Sequence, residues 1–222
     1  MTLFVRRSRA TETSMRRLLV VAATAVLAGA PALPAAAAAP EAPAQVRVAA
    51  AKSLDVDYQV QETGYWCGPA ATRIALSART GDLPSQETLA AELGTTENGT
   101  DHISQVTGVL NNRLSGTGSE YSTVEMPDDP PTQEQKDKLW SDIVADIDSG
   151  HAIVANIVAP PGNQPPGYPP GQTIYHYFTV IGYDSENMTV HIADPASFSG
   201  NQLYWLSFDQ LSTLIPPKGY SA

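Results

Sequence analysis

The sequence predicts an α+β domain, with helices in its first half and an antiparallel sheet in its second. Between residues 67 and 150 apolar residues recur at three- and four-residue intervals, and from His151 onward they alternate with a period of two. Helices followed by strands, rather than alternating with them, favour an antiparallel sheet over a doubly wound one. A first helix begins at Cys67-Gly68-Pro69, where proline suits a first turn, and carries Ala71, Ile74, Ala75 and Ala78 on one face. Pro84-Ser85 opens a short helix through Leu93, closed by Gly94. The stretch after Asp101, including His102, places Ile103, Val106, Val109, Leu110 and Leu114 at helical spacing, and Glu120 to Met126 reads as a short strand. Thr132 and Gln135 have capping-box spacing ahead of Leu139, Trp140, Ile143, Val144 and Ile147, with Gly150 as the stop. Strands are expected over 151–158, 175–184, 188–194 and 203–208. Between the first two, residues 160–171 hold six prolines and three glycines among 12 residues. Such a segment cannot enter a sheet, and it is expected on the surface as one of the loops that shape specificity.

The N-terminus has a different character. Five arginines, Arg6, Arg7, Arg9, Arg16 and Arg17, precede a 13-residue apolar run, Leu18 to Ala30, that leads into Pro34 and an alanine string. The run is too short to span a bilayer and is followed by small residues, so residues 1–37 read as a secretory signal peptide cut near Ala37 or Ala38. The general and twin-arginine export routes both stay open. Residues 38–53, rich in alanine and proline, read as a flexible lead, and residues 54–222 as the folded domain. A secreted, extracellular protein is expected, with no membrane association once the signal is removed, and a monomer.

The whole chain has 222 residues, a net charge of −10 and a hydrophobic fraction of 42%. Removing residues 1–37 leaves 8 Lys+Arg against 22 Asp+Glu, a net charge of −14. That charge argues against nucleic acid as a partner, because binding phosphates requires a basic surface. A single cysteine excludes an internal disulfide and any multi-thiolate metal site. No pair of histidines has ligand spacing and no H-E-x-x-H is present, so no metal and no cofactor are implied. A lone thiol in an exported protein is unusual, since oxidising compartments select for paired cysteines or none.

Cys67 lies where the chain turns into a helix, in Gln61-Glu-Thr-Gly-Tyr-Trp-Cys67-Gly-Pro-Ala. A helix N-terminus and a neighbouring imidazolium both favour a thiolate, against the ~8.5 of a free thiol. Acyl transfer also needs a second donor for the oxyanion, and Gln61 is neutral, six residues upstream and long enough to reach back. Four histidines compete for the role of base. His102 and His151 have no obvious carboxylate at a useful spacing. His176 opens the strand 175–184, and Asp194 ends the next. A three-residue hairpin loop pairing Tyr183 with Asn187 sets His176 opposite Asp194, Phe178 opposite Ile192 and Val180 opposite Val190, which makes one apolar face capped by a His/Asp pair. A two-residue loop would break that face. The first register also turns His191 to the opposite face, as a structural residue.

Gln61-x5-Cys67-Gly68-Pro69-Ala70, a later His-Tyr-Phe-Thr-Val-Ile-Gly-Tyr-Asp run from His176 and then Ala193-Asp194-Pro195 resemble the papain-like cysteine peptidases. The likeness is to the branch of bacteriocin-processing, double-glycine-leader peptidases, cysteine-peptidase family thirty-nine, and its secreted relatives, and it covers roughly residues 55–196. The resemblance implies a papain-like fold, with the nucleophile helix packed on a C-terminal antiparallel sheet. It implies Cys67 as nucleophile, His176 as general base and acid, Asp194 as the residue that orients the imidazole and Gln61 as oxyanion-hole donor. Gln59 has the wrong spacing for that last role. The implied activity is hydrolysis of a peptide or protein substrate. No transporter domain follows Asp194, so double-glycine specificity is not implied. A papain-like domain that is catalytically idle and binds peptide or protein in its groove is the competing expectation.

Overall fold

The structure, a computed structural model, describes residues 51–222. The expected signal peptide and residues 38–50 of the expected lead lie outside the described residues. Helices α1 (Cys67–Ser77), α2 (Gln86–Leu93), α3 (Ile103–Arg113) and α4 (Gln133–Ser149) stand where the periodicity places them. Their ends are fixed by local chemistry. Ser85 Oγ accepts the Thr88 N–H, Thr132 and Gln135 close a reciprocal capping box, and Gly94 and Gly150 end α2 and α4 in the left-handed region. His102 does not continue α3 backwards. It is the N-cap, its Nδ1 accepting the Ser104 N–H.

The sheet has seven strands: β1 (Ala51–Ser53), β2 (Thr123–Glu125), β3 (Ile153–Ala159), β4 (Ile174–Asp184), β5 (Thr189–Ala193), β6 (Leu203–Ser207) and β7 (Gly219–Ser221). All neighbours are antiparallel, in the order β2-β7-β3-β4-β5-β6, and β1 pairs with the far end of β4 beyond β3. Four elements go beyond the sequence expectation: β1, β7, a fifth helix, α5 (Phe208–Leu214), and a 3-10 turn over Phe198–Gly200. With β1, folded structure begins before Leu54, because Lys52 pairs with Tyr183 and the Leu54 N–H donates to the Ile181 carbonyl. Residues 51–53 therefore belong to the sheet and not to a flexible lead. The expected strand 203–208 stops at Ser207, whose hydroxyl accepts the Gln210 N–H and caps α5.

The β4–β5 register differs from the expected one. Asp184 pairs with Thr189 and Tyr183 with Val190, and past a bulge at Ile181 Val180 pairs with Ile192 and Thr179 with Ala193. The loop is longer than three residues because the Asp184 carboxylate accepts the Glu186 and Asn187 N–H groups and Met188 takes φ 49°. Past the bulge the slip from the expected register is two residues, which preserves the alternation and keeps the expected faces; on the turn side it is three. Phe178, Val180, Val190 and Ile192 share one core with α4 and α5, whereas Tyr177, Ile181 and Ala193 join α1, α2 and α3 on the other side. The bulge lets both Val180 and Tyr183 enter the first core.

Candidate active site

The fully buried Thr179 of β4 donates its hydroxyl to the Ala71 carbonyl of α1 at 2.9 Å and so fixes the helix on the strand. From that anchor α1 runs back four residues, about 6 Å, to Cys67. Strand β4 runs back three residues, ~10 Å, to His176. The two side chains converge at the end of the sheet, where Cys67 and His176 line the same two depressions.

α1 begins without a side-chain cap from Trp66 and without an acidic residue in its first turn. Its positive end is left to act on the thiol. Burial pushes the Cys67 thiol up. The hydrogen bond and charge of His176, with the N–H groups of Tyr177 and Gly68, outweigh that effect and hold it below the ordinary thiol range.

His176 Nε2 lies 2.8 Å from Asp194 Oδ1, both side chains being almost fully buried. Nδ1 is then the nitrogen left for the thiol. Burial alone would lower the imidazole pKa; the charge and hydrogen bond of Asp194, with those of Cys67, raise it above the ordinary range. For Asp194 burial acts to raise the carboxyl, and the charge and hydrogen bond of His176, with hydrogen bonds from Tyr204 and Tyr168, hold it below the carboxylate range. Asp194 lies just past β5 and reaches His176 diagonally, since past the bulge it is offset from His176 by two positions. The expected side-chain pair forms, and the expected direct cross-strand pairing does not.

The carboxylate is fully occupied. Oδ1 also accepts the Ala196 N–H at 3.0 Å, and Oδ2 accepts the hydroxyls of Tyr168 and Tyr204, each at 2.8 Å. The Asp194 carbonyl accepts the Tyr58 hydroxyl at 2.7 Å, and the Pro195 carbonyl accepts the Gln61 N–H at 2.9 Å. The segment that carries Gln61 is thus tied to the segment that carries Asp194. None of the three tyrosines is apparent from local pattern. Tyr168 sits in the proline-rich segment expected to lie outside, yet it is only 6% exposed.

Gln61 and Cys67 line the same depression, about 380 Å³, together with Ile174, Ala196 and Phe198. Gln61 Nε2 donates to the Thr63 carbonyl at 2.8 Å, which uses one of its two hydrogens, and its buried Oε1 has no protein partner. A second depression, about 330 Å³, is lined by Tyr65, Thr100, Asn156, Tyr175 and Tyr177. Cys67 and His176 line both. Gln59 is engaged elsewhere, its Oε1 accepting from Gln86 at 2.8 Å. So are the remaining histidines. His102 pairs with Glu125 at 3.3 Å, a carboxylate distant in sequence that spacing did not reveal. His151 contacts the Ser149 hydroxyl, and His191 stacks on Trp205 with centroids 4.7 Å apart.

Gly68 is explained by close approach: a Cβ there would stand 2.3 Å from Thr100 Oγ1 and 2.9 Å from Thr100 Cβ. Gly68→Ala is therefore expected to destabilise the fold by about 1–3 kcal/mol and to displace the cleft wall at Thr100. A denaturant titration measures the loss. Adding Thr100→Gly should recover most of it, and no recovery would refute the steric reading.

Residues 53–213 match the family model described as the Peptidase_C39-like family. Among solved structures the chain is similar to a C39-like peptidase from Bacillus anthracis, at 12% identity and a TM-score of 0.52, covering 77% of this chain and 96% of that one. It is also similar to xylellain, a cysteine protease from Xylella fastidiosa, at 14% identity, a TM-score of 0.48, and coverage of 77% and 84%. A third similar structure is a double-glycine-motif protease from an AMS/PCAT transporter in complex with the leader peptide, at 12% identity, a TM-score of 0.47, and coverage of 76% and 91%. No curated protein matches the chain. The fold is thus shared with the C39-like peptidase from Bacillus anthracis, in keeping with the fold that the resemblance implied. With the family match running across most of the described residues, the chain belongs to the Peptidase_C39-like family of cysteine peptidases.

Proposed function

We propose that this protein is an exported peptidase that hydrolyses peptide bonds with a Cys67-His176-Asp194 triad and Gln61 as oxyanion donor. The observation that carries the reading is the placement of His176, whose Nε2 lies 2.8 Å from the Asp194 carboxylate and which shares the walls of both depressions with Cys67; its charge favours a lowered thiol pKa, and the Asp194 charge a raised imidazole pKa. That combination favours a thiolate–imidazolium pair near neutral pH.

A peptide lying across the two depressions presents a carbonyl carbon to Sγ. Thiolate attack forms the C–S bond and puts the electron pair on the carbonyl oxygen. The Cys67 N–H, free in the first helical turn, and the second hydrogen of Gln61 Nε2 are the donors available to that oxyanion. Collapse breaks the C–N bond, and the imidazolium proton passes to the leaving amine. A water molecule then gives a proton to His176 as its oxygen attacks the thioester; collapse breaks the C–S bond, releases the acid and restores the thiolate–imidazolium pair. Asp194 keeps Nε2 protonated throughout.

The test is the pH profile of Cys67 alkylation by iodoacetamide. Its midpoint should fall well below the ~8.5 of a free thiol, and His176→Ala should return it to that range or above. A wild-type midpoint at or above the free-thiol value would refute the reading and favour the idle, peptide-binding alternative. For export, the arginine-rich start and short apolar run of residues 1–37 support a cleavable signal. A fusion of residues 1–40 to a reporter should deliver it outside a bacterial host, with cleavage near Ala37 or Ala38.

A further inference from the structure

We infer that Tyr168 and Tyr204 are positioning residues of this peptidase, which hold Asp194 ionised and aimed at His176; the inference rests on the triad reading above. A carboxylate has about four acceptor sites, and here all four are taken: His176 and Ala196 on Oδ1, Tyr168 and Tyr204 on Oδ2. Every one of these neighbours donates, so a proton added to Asp194 would have to displace one of them. The pocket therefore selects the anion, and the anion selects the imidazole form with its hydrogen on Nε2. A carboxylate this deeply buried would otherwise drift towards its neutral form.

The two hydroxyls reach Oδ2 from different parts of the chain. Tyr204 comes from β6, where it pairs with Ile192 of β5. Tyr168 comes from the proline-rich 160–171 segment, which is held from both sides. Gln164 Nε2 bridges the Pro169 and Gln172 carbonyls, and the Gly167 carbonyl accepts the Ser199 hydroxyl. The Tyr168 ring packs edge-on against Phe198 at 4.6 Å and approaches the His176 ring at 6.0 Å. A position built this firmly makes the segment a strap over the Asp194 side of the triad, where the sequence suggested a specificity loop. The prolines suit that task, since they reduce the entropy lost when the strap is ordered.

The test uses Tyr168→Phe, Tyr204→Phe and the double variant, which keep the rings and remove only the hydroxyls. Each single change should lower kcat roughly tenfold with KM within about twofold, as expected for the loss of a hydrogen bond to a charged group. The acid limb of the kcat–pH profile should move to higher pH, most in the double variant, because a carboxylate with fewer donors takes up a proton sooner. Wild-type kcat in the double variant would overturn the inference. So would a fall in kcat with an unmoved acid limb and a lower melting temperature, the mark of a merely structural role. Cys67→Ala run in parallel separates the two levels: if it keeps activity, the triad reading itself fails. If it is inactive and the double tyrosine variant behaves as wild type, only the present inference fails.

Discussion

Cys67→Ala should lower kcat/KM for peptide hydrolysis by a factor on the order of 10⁴ or more, because in the proposed mechanism both covalent steps pass through Sγ and no other thiol exists in the chain. The fold should be unaffected. Cys67 is only partly buried at the N-terminal edge of the α1 core, so removing one sulfur there should change unfolding free energy by about 1 kcal/mol or less. Hydrolysis of a diverse peptide library, with melting temperature measured in parallel, checks both halves of the prediction. The same library run on the wild-type protein would define specificity. Activity retained by the alanine variant would place the chemistry at another residue.

Asp194→Ala is expected to damage both catalysis and stability. Loss of the group that fixes the imidazole should cost about 10²–10⁴ in kcat. It also strips four donors of their acceptor inside a closed pocket, which should cost about 3–5 kcal/mol of folding free energy. Asp194→Asn is the milder control. Its Oδ1 can still accept from Nε2, so orientation is kept while the charge is lost, and the raised imidazole pKa should fall back.

The pH dependence follows from the two directions of shift. Asp194, held below its ordinary range, contributes stability that is present above about pH 4 and lost as pH falls through the lower folded value. His176, held above its ordinary range, contributes stability that is complete below about pH 6.5 and lost as pH rises through the higher folded value. The melting-temperature gap between wild type and Asp194→Ala should therefore be widest between about pH 4 and 6.5. A gap that is flat from pH 3 to 10 would contradict the coupled pair.

Much of this was legible in the chain itself, and the division has a physical basis. Helix ends depend on hydrogen bonds that span three or four residues, so Ser85, Thr132 with Gln135, Gly94 and Gly150 announced them correctly. The faces of β4 and β5 depend on alternation alone, so the His176/Asp194 association survived a wrong register. Cys67 at the start of α1 required only the Gly-Pro that follows it.

Tertiary structure decided what depends on distant partners or on backbone choices that leave no periodic trace. The bulge at Ile181 and the Asp184-capped loop set the β4–β5 register. Three-residue strands such as β1 and β7 are too short to carry a pattern, and they form because a neighbour offers unpaired backbone. The environment of Asp194 is the plainest case. Tyr58, Tyr168 and Tyr204 lie 136, 26 and 10 residues from it in sequence, and only folding makes them neighbours. The sequence alone determined which side chains do the proposed chemistry; the tertiary structure decided what surrounds them, because filling a buried carboxylate's acceptor sites takes donors from several parts of the chain.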